Sequence, residues 1–139
     1  MKKALQVEIQ GEHLVADLPL DSLREVLCRA WKEYSGKQNA KIELVFLEDG
    51  PHSKLHKQFL GDPTSTDVMA FPYEDEDLFG EVFVNVDTAS REAAERGILV
   101  HEELKLYSVH GVLHLLGFRD KTPEEQREMR DAEQKVLGF

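Results

Sequence analysis

Between Leu104 and Leu116 the apolar residues do not keep to one side of a helix. Leu106, Tyr107, Val109, Val112, Leu113, Leu115 and Leu116 surround the axis, and a helix that is apolar all round has to be enclosed by the rest of the chain. The 139 residues provide material for one domain with one core of ordinary size, so this helix is expected at the centre of a domain spanning 1–139. Gly117 stops it as a left-handed residue just past the last turn. Thr122, Pro123 and Glu125 then supply the N-cap, the first-turn proline and the glutamate of a capping box, which starts a final helix running almost to the C-terminus.

Around that helix the periodicity alternates between two and about 3.6 residues. ALQVEIQ at 4–10, KIELVFL at 41–47 and GEVFVNV at 80–86 alternate as strands do, with Ile42, Leu44 and Phe46 on one face of the second and Val82, Val84 and Val86 on one face of the third. The turn-rich stretch GDPTST at 61–66 leads into a fourth apolar run from Val68 to Phe71. Leu23, Val26, Leu27, Ala30, Trp31 and Tyr34 repeat at helical spacing, from an N-cap at Asp21 or Ser22 to a stop at Gly36. Pro51 opens a short helix that Gly61 closes, and Asp87 or Thr88 caps a polar one ending near residue 96. The expected fold is α+β, a single small mixed sheet of about four strands packed with about five helices.

The net charge of -10 is uneven. Residues 1–60 are neutral, residues 61–100 carry two cationic against ten anionic side chains, and residues 101–139 carry six against eight. Such a chain is a poor general binder of nucleic acid, because Lys and Arg supply most non-specific affinity, so any contact with nucleic acid has to be local or arranged by a partner. The EDED run at 74–77 reads as a solvated loop. No stretch is apolar for long enough to span a membrane, and MKKALQVEIQGE turns polar too soon for a signal peptide, so a cytoplasmic location is expected. The one cysteine, Cys28, reads as a small core residue and agrees with a reducing compartment.

His110 and His114 stand four residues apart on the central helix and therefore share a face. Gly117 turns the chain back, and Asp120 arrives three residues later. Two imidazoles and a carboxylate with a fourth position left for water is the layout of a catalytic metal, with zinc the first choice. Burial among Leu and Val is expected to keep the imidazoles neutral, the form that binds metal. A bare pair of core histidines bonded to backbone carbonyls is the plainer alternative. His13, His52, His56 and His101 read as surface residues, although His101 lies near the site helix. The spacing also matches zinc peptidases of the H-E-x-x-H-x-x-G-x-x-H type, but their general base would stand at Gly111, and glycine cannot take a proton.

HGVLHLLGFRD at 110–120 resembles the signature H-G-x-L-H-L-x-G-[YF]-D-H of the YbeY family of single-strand-specific endoribonucleases. STDVMAFP at 65–72 is similar to that family's P-T-D-V-L-S-F-P, matching at Thr66, Asp67, Val68, Phe71 and Pro72. FGEVFVNVDTA at 79–89 is similar to its L-G-D-I-x-I-S/N segment, with Gly80 retained and Glu81 where Asp is usual. The resemblance covers essentially the whole chain. It implies a metal-dependent nuclease acting in maturation of the 3′ end of small-subunit ribosomal RNA and in ribosome quality control. The implied partners are single-stranded ribosomal RNA, the small ribosomal subunit and ribosome-associated proteins, with no organic cofactor.

Two departures from that pattern bear on the chemistry. Asp120 stands where the family has its third metal-binding histidine; a carboxylate still ligates zinc, but as a harder donor it alters the affinity order among zinc, nickel and manganese. LHKQFLG at 55–61 puts Leu60 where L-N-x-x-Y-R-G has an arginine implied to contact the RNA phosphate, and leucine cannot clamp a phosphate. Arg119, Lys57 and Lys54 are the candidate substitute cations, Arg119 first because it adjoins a metal ligand. Thr66 and Asp67 either line the cleft and position substrate or water, or satisfy backbone groups where a strand begins. Glu81 either supports a metal-bound histidine or is an exposed strand residue. Arg119 and Asp67 are therefore the catalytic candidates. A metal-containing ribosome-assembly factor that does not cleave, a peptidase-like hydrolase, and a purely structural metal site with four protein ligands are the competing readings.

Overall fold

The computed structural model describes residues 4–34, 39–61, 66–73 and 78–138. Gly36, the expected stop of the first helix, lies outside the described residues, as do most of the 61–66 turn and the EDED loop. Among the described residues the chain forms strands β1 (Ala4–Gln10), β2 (Asn39–Leu47), β3 (Val68–Pro72) and β4 (Gly80–Asn85). The helices are α1 (Leu20–Tyr34), α2 (Asp49–Leu60), α3 (Val86–Arg96), α4 (Val100–Leu115) and α5 (Pro123–Leu137). The strands form one mixed sheet in the order β1-β2-β4-β3, parallel between β1, β2 and β4, with β3 antiparallel to β4 at the edge. This is the expected α+β arrangement.

One sheet face carries Val7, Ile42, Leu44, Phe46, Val82 and Val84, all buried. Alternation along each strand aims them at the helices. α4 packs against β3 and β4 and also touches α1, α3 and α5, so the helix that is apolar all round is the centre of the molecule. Its Leu104, Tyr107, Val109, Val112, Leu113 and Leu115 are buried. α1 turns Leu23, Val26, Leu27, Ala30 and Trp31 into the same core, and Cys28 beside them donates to the Leu5 carbonyl at 3.4 Å. The other sheet face carries a cross-strand row of Glu8, Glu43 and Glu81. Burial and the neighbouring Glu81 push the Glu43 carboxyl above its ordinary value. Glu81 accepts from the Tyr73 hydroxyl at 2.6 Å and is thus a strand residue on the face away from α4. No described helix is long and apolar enough to cross a membrane.

Several boundaries differ from the periodicity: α2 opens at Asp49, ahead of Pro51, and β2 at Asn39, ahead of Lys41. α1 begins at Leu20, ahead of the expected cap at Asp21 or Ser22. α3 is capped by Asn85, whose side chain accepts from the backbone of Asp87 and Thr88, so Asp87 and Thr88 lie inside the helix. Val86 consequently opens α3 instead of ending β4, yet it remains buried.

Candidate metal centre

The site is assembled by what ends α4 and what begins α5. Leu116 caps α4, and Gly117 follows with φ 103°. The Phe118 N–H bonds the Leu113 carbonyl at 3.0 Å and the Gly117 N–H bonds the His114 carbonyl at 3.0 Å, the paired bonds of a Schellman turn. The Phe118 ring meets Tyr34 edge-on at 5.1 Å, which ties the turn to α1. On the far side the complete capping box of Thr122 and Glu125 fixes the start of α5, and Gln126 donates to the Asp120 carbonyl at 3.0 Å. Asp120 is thus held between a helix stop and a helix start, each specified within a few residues.

Its carboxylate meets the two histidines. His110 Nε2 and His114 Nε2 are 3.0 Å apart, and Asp120 Oδ2 lies 3.3 Å from the first and 3.4 Å from the second. Donors around a tetrahedral zinc with bonds of about 2.0–2.1 Å are about 3.3–3.4 Å from one another, so the triangle has the dimensions of a metal site. The opposite ring nitrogens define the tautomers. His110 Nδ1–H donates to Glu133 Oε2 at 2.8 Å, and His114 Nδ1–H donates to the Phe118 carbonyl at 3.0 Å. Both acceptors lack a proton to give, so each ring keeps its hydrogen at Nδ1 and turns the Nε2 lone pair towards the other two donors. Two lone pairs and a carboxylate oxygen at this spacing repel until a cation lies between them.

The proton affinity of His110 reflects that demand. Burial lowers it, as the sequence reading expects, but the hydrogen bond and charge of Glu133, helped by Asp67 and Asp120, outweigh burial and leave the group above its ordinary value. Neutral imidazole is therefore not secured by burial; a metal here competes with a proton. Glu133 is the residue that sequence reasoning missed. It lies 23 residues from His110 on a polar helix, and only the packing of α5 on α4 brings the two together. A carboxylate behind a ligating imidazole orients the ring and raises its donor strength. Glu133→Ala is expected to weaken divalent-metal affinity by about 10–100-fold, measured by competition with a chromophoric chelator; an unchanged affinity would show that Asp120 and the Phe118 carbonyl orient the site unaided.

The other expected residues are spread more widely. A cleft of about 780 Å³ opens beside the donors and is lined by His114, Asp120, Lys121, Thr66, Leu60 and Phe71 among others. Asp67 Oδ1 accepts from the Val68 N–H at 2.7 Å and from the Thr66 hydroxyl at 3.3 Å, so this carboxylate caps the start of β3. Thr66 lines the cleft as well, which joins the positional and structural readings of that residue. Arg119 is exposed and lines a separate depression with Glu125 and Glu128, whereas Lys121 is the cation on the cleft wall. His52, expected at the surface, is fully buried on α2; Nε2 bonds the Phe83 carbonyl at 3.1 Å, and burial lowers its proton affinity. His56 lines the cleft, and His101 bonds the Ala16 carbonyl at 2.9 Å.

The chain is similar over nearly its whole length to proteins of one family. Residues 7–139 match the family described as Endoribonuclease YbeY. Endoribonuclease YbeY of Chlamydia abortus is 32% identical, with 99% of this chain and 92% of that protein aligned. The Saccharopolyspora erythraea protein of the same name is 34% identical over 96% of this chain and 80% of its own. A solution structure from Thermotoga maritima superposes with a TM-score of 0.66 at 29% identity, covering 96% of this chain and 90% of that one.

Proposed function

The chain belongs to the YbeY family of endoribonucleases, and we propose that it acts as one domain over residues 1–139, cutting single-stranded RNA with a divalent metal held by His110, His114 and Asp120. The observation that carries this reading is the convergence of those three donor atoms at the edge of an open cleft. A cation bound there supplies Lewis acidity, lowering the pKa of water and polarising a phosphoryl oxygen. The chain's own residues do the rest. Glu133 and the Phe118 carbonyl hold the rings in register, Lys121 offers a positive charge to a phosphate in the cleft, and Thr66 supplies a hydroxyl on its wall. The zinc preference follows from two imidazoles, while Asp120 admits nickel or manganese. The family likeness extends the proposal to the 3′ end of small-subunit ribosomal RNA in the cytoplasm, with the small subunit and ribosome-associated proteins as partners.

Leu60 and the charge of -10 favour one second reading, an assembly factor that holds RNA without cutting it. One assay separates the two. Protein stripped by chelator is expected to leave a labelled single-stranded RNA intact and, after reloading with zinc, nickel or manganese, to cleave it while sparing a duplex. RNA retained on the protein but uncut with every metal would overturn the nuclease reading in favour of the assembly factor.

A further inference from the structure

The last turn of α2 leaves two large apolar side chains in solvent beside the cleft, Phe59 at 56% exposure and Leu60 at 60%. Phe59 is not isolated. Its ring lies 5.2 Å from that of Phe71 with 50° between planes, and Phe71 in turn lies 5.8 Å from Phe83. The three rings run from the sheet to the surface, and Phe71 and Leu60 line the same cleft as His114 and Asp120. Gly61, with φ 72°, ends α2 directly behind them.

A cleft that takes a polyanion ordinarily gains its affinity from Lys and Arg. Here Lys121 is the cation of that lining, and the chain as a whole carries -10. Aromatic faces bind unpaired bases without needing charge, and each stacked base is worth about tenfold to a hundredfold in affinity. Building on the reading that the cleft takes RNA, we propose that Phe59, braced by Phe71 and flanked by Leu60, is a stacking ledge for one unpaired base of the substrate. Stacking at this helix end then holds the strand in a cleft whose described lining offers one lysine. The ledge also selects against duplex, whose bases are already stacked on one another.

The test uses the full chain, metal-loaded, with a labelled single-stranded oligoribonucleotide. Phe59→Leu is expected to raise KM about tenfold while kcat changes less than about twofold, and Phe59→Tyr to keep the wild-type KM. An oligonucleotide with one abasic position at the ledge should lose the same factor with wild type and nothing further with Phe59→Leu. Equal KM for Phe59→Leu and wild type, or an abasic loss of the same size in both, would overturn the ledge while leaving the nuclease intact. Should the wild type cut no RNA, the nuclease reading fails and the ledge is decided separately by Phe59→Trp. The native Trp31 is buried, so a new exposed indole quenched by single-stranded oligonucleotide supports the ledge, and an unquenched one overturns it.

Discussion

Replacing His114 with alanine is expected to leave the purified protein without stoichiometric metal and to reduce RNA cleavage by at least about a thousandfold, several kcal/mol of lost transition-state stabilisation. The size follows from the donor count. His110, His114 and Asp120 are the described group able to surround one ion, and two donors 3.3 Å apart hold a divalent cation far more weakly than three. His114 also joins the donor set to the turn that ends α4, because its Nδ1–H reaches the Phe118 carbonyl. The Schellman bonds of that turn are backbone bonds and survive the substitution, so the metal-free melting temperature should move by only a few degrees. Elemental analysis and single-turnover cleavage on the same sample check both parts. Undiminished cleavage by metal-free His114→Ala would remove the metal from the mechanism.

The parts of this centre that were legible in the sequence are those whose causes are local. Two histidines four apart on a helix must share a face, and Gly117 must turn the chain, so His110, His114 and Asp120 could be brought together from spacing alone. The capping box at Thr122 and Glu125 specifies a helix start within four residues and appears as expected. Where a long-range partner decides, spacing misleads. Asn85 takes the cap of α3 from Asp87 and Thr88 because its amide also donates to Asp49 at 2.8 Å and to the Thr66 carbonyl at 3.2 Å, contacts no local window contains. His52 shares a weakly amphipathic helix with His56, and which of the two is buried depends on α2 lying against β4. Glu133 could not be singled out among the other acids of α5 until α4 lay beside it. Arg119 looked functional through adjacency in sequence, but the turn that delivers Asp120 to the histidines sends its neighbour to another depression.

Gly111 shows how a residue that counts against one chemistry has its own structural cause. Its absence of a carboxylate argued against a peptidase; the fold shows that no side chain fits there. A Cβ at position 111 would lie 2.4 Å from Val82 Cγ1 and 3.2 Å from Val68 Cγ2, so α4 approaches the sheet at the distance that glycine alone permits. Valine, branched at Cβ, has a restricted χ1 and cannot swing aside as a longer chain would. Two effects oppose each other in Gly111→Ala. Alanine gains up to about 1 kcal/mol over glycine in a helix interior. Overpacking a close-packed core costs about 1–3 kcal/mol or more, and contact this short belongs at the upper end. The net expectation is a loss of about 2 kcal/mol, seen as a melting temperature lower by roughly 8 °C. The carboxylate of Gly111→Glu would be driven into Val82 and Val68, so that variant should fail to fold and should not acquire peptidase activity. Adding Val82→Ala to Gly111→Ala removes the clashing methyls and lets the new one occupy their space. The double variant should therefore be more stable than the sum of the single losses by about 1–2 kcal/mol. Strict additivity, or a rise in melting temperature for Gly111→Ala alone, would mean that α4 can lift from the sheet at little cost and that glycine at this position has some other cause.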